Sequence, residues 1–127
     1  MALPTGSGSE ILRSGGINGL TSTQTSFNFG GGISTVATNN TVVPALSIVT
    51  ILNIVFCERA NADELVDLYV YKSSNDCHIL TQQSLPARST FVYSDRLVLM
   101  AGDRISTNLA SAGTVDVYFS YILQDWS

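Results

Sequence analysis

Residues 114–123 read "TVDVYFSYIL", a run in which a large apolar side chain falls on every second position. Successive side chains of an extended strand point to opposite faces. Val115, Val117, Phe119, Tyr121 and Leu123 therefore share one face, and Asp116, Tyr118, Ser120 and Ile122 share the other. Five bulky residues on one face need a second sheet to cover them. The opposite face is mixed, with Tyr118 and Ile122 beside polar neighbours, as on a surface partly covered by another subunit. Residues 65–72, "LVDLYVYK", repeat the pattern: Val66, Leu68 and Val70 lie on one side and Asp67, Tyr69 and Tyr71 on the other. Tyr118, Ile122, Tyr69 and Tyr71 are thus the candidate oligomer contacts.

Outward from these two runs, Val, Ile, Thr and Tyr dominate short segments separated by turn residues at regular spacing. Strands are predicted near 24–29, 33–37, 46–57, 65–72, 78–83, 90–93, 96–100, 104–109 and 114–123. No segment holds apolar residues at helical spacing for long. The longest apolar run, "ALSIVTILNIVFC" (45–57), is too short to span a bilayer as a helix and reads as a buried strand. The "AGD" of 101–103 is a turn in which Gly102 takes a positive φ and Asp103 caps with its side chain. The expectation is an all-β chain: a single β-sandwich or jelly-roll domain over 26–127.

Residues 1–25 differ. They are rich in Gly, Ser and Thr, with Ile11, Leu12, Ile17 and Leu20 as sparse apolar anchors. Taken alone, such a segment buries too little to offset its ordering entropy. It is expected to be an extended N-terminal arm held by a neighbouring subunit through those four side chains.

Composition narrows the function. Only 13% of the 127 residues are charged and the formal net charge is −4, so there is no basic footprint for nucleic acid or an anionic membrane, and neither is an expected partner. The N-terminal residues carry no basic start or continuous apolar stretch of a secretory signal. Cys57 and Cys77 then read as free, buried thiols, and Asn39-Asn40-Thr41 as a loop rather than a glycosylation acceptor. Cys77 and His78 are adjacent in a strand and point to opposite faces, which prevents a Cys–His dyad. One His with two distant Cys makes no metal site. The acidic group Asp63, Glu64 and Asp67 lacks a calcium-loop pattern and reads as a solvated turn, and neither Gly-rich stretch has the context of a phosphate loop. No catalytic, cofactor-binding or metal-binding residue is expected, and no cofactor.

Three stretches, "SLPARSTFVY" (84–93), "RLVLMAGDRI" (96–105) and "SAGTVDVYFSYI" (111–122), together with the "GSEILRSGG" of 8–16, resemble small virion proteins of tailed bacteriophages. The resemblance covers roughly half of the chain and rests on structural turns. It implies a β-sandwich that assembles symmetrically on a capsid shell or in the neck and tail. The expected function is that of a virion structural protein made in the bacterial cytoplasm. Foremost is a capsid decoration (cement) protein, a homo-oligomer with a trimer favoured, binding the major capsid protein. A neck, tail or baseplate component is the alternative. A carbohydrate-binding jelly roll, stacking sugars on Tyr69, Tyr71, Tyr118 or Trp126, is a third possibility.

Overall fold

The computed structural model describes residues 8–34 and 41–126. Among them are ten strands and no helix: β1 (Ser9–Leu20), β2 (Thr25–Ser26), β3 (Ile33–Ser34), β4 (Ser47–Glu58), β5 (Glu64–Lys72), β6 (Asn75–Leu85), β7 (Thr90–Tyr93), β8 (Leu97–Met100), β9 (Arg104–Leu109) and β10 (Val115–Asp125). They form a six-stranded sheet in the order β3-β1-β10-β4-β7, with β8 also on β4, and a four-stranded sheet in the order β2-β9-β5-β6. β7 and β8 pair with successive stretches of β4 and act as one interrupted strand. With two-residue β3 set aside, eight strands remain, β1-β10-β4-β7/β8 facing β2-β9-β5-β6, and the chain crosses between sheets repeatedly. This is the jelly roll, two Greek keys folded face to face.

The alternation of β10 is borne out: Val115, Val117, Phe119, Tyr121 and Leu123 are all buried. Phe119 lies between the rings of Phe27, at 4.5 Å, and Tyr121, at 5.5 Å, and Phe29 meets Tyr121 edge-on at 5.3 Å. Val49, Ile51, Ile54 and Phe56 of β4 complete the six-stranded sheet's contribution, and Val66, Leu68, Ile105 and Leu109 close the core from the other sheet. The 101–103 turn forms as read. Gly102 has φ +88°, the Met100 N–H donates to Asp103 Oδ2 at 2.8 Å, and Lys72 Nζ bonds the same carboxylate at 2.9 Å.

The expected arm is corrected by the structure. Residues 9–20 are β1, antiparallel to β10 from Ser9↔Asp125 to Leu20↔Val115. Ile17 and Leu20 are core residues of their own domain, 4% and 1% exposed, so of the four expected anchors only Ile11 and Leu12 reach the surface. The sparse apolar content misleads because the core side of β1 is filled from across the sheet. A Cβ on Gly15 would stand 2.9 Å from the Phe119 ring, and one on Gly16 2.6 Å from the Val117 carbonyl oxygen. Glycine here is the residue that admits a neighbour's ring and backbone. Residues 1–7 of the expected arm, the predicted continuation of β3 to 37, and Asn39 and Asn40 lie outside the described residues.

The burial expected for the cysteines is also corrected: both are exposed. In the β4–β10 register Ile51 faces Tyr121 and Asn53 faces Ser120, leaving Leu52 as an extra residue. Such a bulge inverts the inward parity. Val49 and Ile51 point inward before it, Ile54 and Phe56 after it, and Cys57 is turned out. Glu64, expected in a solvated turn, is 4% exposed.

Candidate docking face

The bulge and the strand order place one parity of side chains from every strand of the larger sheet on its outer side. β1 contributes Leu12 and Ser14, β10 contributes Tyr118, Ser120 and Ile122, and β4 contributes Thr50, Leu52, Val55 and Cys57. Val92 of β7 pairs with Val55, and Val98 of β8 with Thr50. Among the described residues this outer side carries the most exposed large apolar side chains: Leu12 is 70% exposed, Val98 61%, Ile33 58%, Tyr118 52% and Val92 51%. Scattered exposed apolar residues need no explanation, but contiguous ones on a single sheet face mark an interaction surface.

Relief and charge refine the picture. Tyr118 stands on the central strand, and its ring leans over Gly16 of β1 and donates its hydroxyl hydrogen bond to Ser14 Oγ at 2.9 Å, which fixes the ring's position on the face. On its Asp116 side is an apolar depression of about 280 Å³ lined by Ile33, Val55, Cys57 and Asp116. On its Ser120 side is a wider one of about 550 Å³ between Leu12, Ser14, Leu52 and Asn53. The charges at the margin are satisfied locally. Asp116 accepts from Arg59 Nε at 3.0 Å and from the Gly19 N–H at 3.0 Å, and Glu10 accepts from Gln124 Nε2 at 3.1 Å.

Of the four expected oligomer contacts, the structure brings Tyr118 and Ile122 onto this face, Ile122 half-buried beside Leu12. It does not bring Tyr69 and Tyr71 there. They lie on the outer side of the smaller sheet, where the sequence period placed them, but their surfaces are taken. Tyr69 is 6% exposed with the His78 ring 5.1 Å away. Its burial, with Asp76 and Asp67 nearby, pushes its hydroxyl up to about 12. Tyr71 is capped by the Arg104 guanidinium, 4.3 Å from its ring centre. Leu52, Val92, Val98 and Ile33 were not singled out from sequence. The signal lies in their strands' alternation, yet only the topology puts them on one side.

The carboxyls Glu58 and Glu64, at the end of β4 and the start of β5, have opposite environments. Glu58 accepts backbone N–H bonds from Ala60, Ala62 and Arg88, chiefly the last, which holds its carboxyl below the usual range. Glu64 is raised, first by burial and then by the charges of Glu58 and Asp63. Glu58 is occupied in closing the turn after β4, whereas Glu64 packs against Gly113 with its Oε1 buried and without a hydrogen-bond partner among the described residues. Among the described residues no three His, Cys, Asp or Glu side chains converge as metal ligands.

No protein-family model matches the chain, and no curated protein does. Among solved structures it is similar to a chain of the T13 IBDV viral particle, with 8% identity over 92% of this chain and a TM-score of 0.48, and it spans 31% of that chain. It is also similar to Eiger TNF from S. frugiperda (13% identity, 91% of this chain, 93% of that one, TM-score 0.41). A third likeness is to the virus-like particle of the extra small virus of the giant freshwater prawn Macrobrachium rosenbergii (9% identity, 100% and 85%, TM-score 0.41). At this distance none of the three bears on function, and the fold assignment stands on the strand order itself.

Proposed function

We propose that this chain is a structural protein of a virion, and specifically a capsid decoration protein that binds the assembled shell and holds neighbouring major capsid subunits together. The carrying observation is the uncovered apolar outer face of the six-stranded sheet, on a jelly roll whose remaining surface is low in charge. A protein that works alone in water gains nothing from leaving Leu12, Tyr118, Val92 and Val98 open, whereas one that spends its working life against neighbours does. The stretches that resemble bacteriophage virion proteins support the same reading. The action needs no chemistry, and the chain is proposed to be no enzyme: a ligand that binds only the assembled shell stabilises it by mass action.

The carbohydrate-binding reading loses support, because two of its four aromatic platforms, Tyr69 and Tyr71, are stacked against His78 and Arg104. The test is to image particles from a phage lacking the gene and to add the purified chain back. Decoration predicts missing density on the shell, earlier release of DNA on heating, and restoration of both by the added chain. Missing density in the neck or tail with an unchanged shell would sink the decoration reading.

A further inference from the structure

We infer that the outer face of the six-stranded sheet docks on the same face of a second copy of this chain about a two-fold axis. The inference rests on the face being the assembly surface, and it names the first partner to occupy it. The size is right. At about 3.4 Å per residue along a strand and 4.8 Å between strands, the residues of this sheet present a footprint of roughly 700 Å². A stable protein interface buries about 800 Å² per partner.

The shape fits itself. Tyr118, 52% exposed, is the ridge of the central strand, with a depression on either side along its own strand. A two-fold axis lying in the interface, parallel to the sheet and across its strands just beside Tyr118, carries each ring into the depression next to the other ring, so one contact is made twice. The charges permit it: the chain carries a net −4, but on this face Asp116 is neutralised by Arg59 and the centre is apolar, so two copies meet without stacking like charges. A face that fits itself closes a two-fold, not the three-fold that the sequence reading favoured.

The two cysteines supply the assay. Cys57 lines the depression beside Tyr118, while Cys77 sits on β6, the edge of the other sheet, and both are exposed in the single copy. Sedimentation of the full chain over a wide concentration range is combined with thiol labelling read separately at the two sites. The expected result is a dimer on concentration, with labelling of Cys57 slowed about fivefold at a total chain concentration ten times the dissociation constant, because only free chain reacts there, and Cys77 unaffected. Tyr118→Asp, and independently Leu12→Asp, should remain folded, stay monomeric and label Cys57 at the dilute rate. A chain that stays monomeric throughout, or that associates while Cys57 labels as fast as in dilute solution, overturns the proposal. A monomer that still coats particles overturns the pairing and leaves the virion reading standing. A two-fold dimer that coats no particle does the reverse.

Discussion

Ile17 and Leu12 occupy the same strand five residues apart and look equivalent in sequence, yet the structure gives them opposite consequences. Ile17 is 4% exposed among Val117 and the aromatic core, and Leu12 is 70% exposed on the docking face. Truncating a buried Ile to Ala removes its transfer free energy and leaves a cavity, together about 2–5 kcal/mol. An exposed Leu→Ala costs within about 0.5 kcal/mol. For 127 residues, an unfolding entropy of about 2.1 cal/mol/K per residue converts the larger loss into a melting point lower by about 7–19 °C. Thermal and urea unfolding of Ile17→Ala and Leu12→Ala, each at a concentration where the chain is monomeric, measure the contrast directly. If β1 were an arm that docks only on a neighbour, both variants would melt with the parent. An Ile17→Ala midpoint within 2 °C of the parent, below the smallest shift expected from the cavity range, would refute the placement of β1 in its own sheet.

Gly15→Val should lower stability by about 1–3 kcal/mol, read as a shifted urea midpoint at unchanged slope, because its side chain must displace the Phe119 ring. Asp103→Ala should cost about 1.5–3 kcal/mol through the lost turn bond to the Met100 N–H, whereas Lys72→Ala, which removes a half-exposed partner, should cost under about 1 kcal/mol. Cys57→Ser should leave unfolding unchanged, since the thiol is exposed. Glu64→Gln should stabilise the chain at neutral pH: ionised Glu64 opposes folding above its raised folded pKa, and the penalty fades as pH falls to the ordinary value of 4.5, so the gain should vanish in acid. Glu58→Gln should do the opposite, its deficit full above pH 4.5 and shrinking as pH falls through its lowered folded pKa; denaturant midpoints of both variants across pH decide the signs.

Strands β4, β5, β9 and β10 were legible because each buries one side against the core, and period-two alternation records that. The same rule failed for β1, where the inward positions include Arg13 and Gly15. Arg13 reaches the Phe29 carbonyl at the rim at 3.3 Å, and Gly15 yields its volume to Phe119. Apolar content measures how much of the core a strand fills, which is a different quantity from whether it is hydrogen-bonded into a sheet. Cys57 failed for another reason: a single extra residue at Leu52 reverses parity, and nothing in "TILNIVFC" marks which residue bulges until β10 is laid beside it.

The docking face shows the same division between what a strand encodes and what the sheet adds. Tyr118 and Ile122 were legible from their own strand because an aromatic and an Ile opposite a complete core face stand out. Tyr69 and Tyr71 had the same signature and the same outward parity, but His78 and Arg104 lie across from them in the neighbouring strands and consume the exposed rings. Parity fixes the side on which a residue lies, and the residue opposite it in the register decides whether it stays available. Val92 and Val98 show the converse. Each is one ordinary Val in a four-residue strand, and each becomes part of an interface only because β7 and β8 both pair with β4, bringing their outward positions alongside Val55 and Thr50. Removing Val98 alone should therefore weaken association modestly, and removing Tyr118, on which both depressions converge, should abolish it.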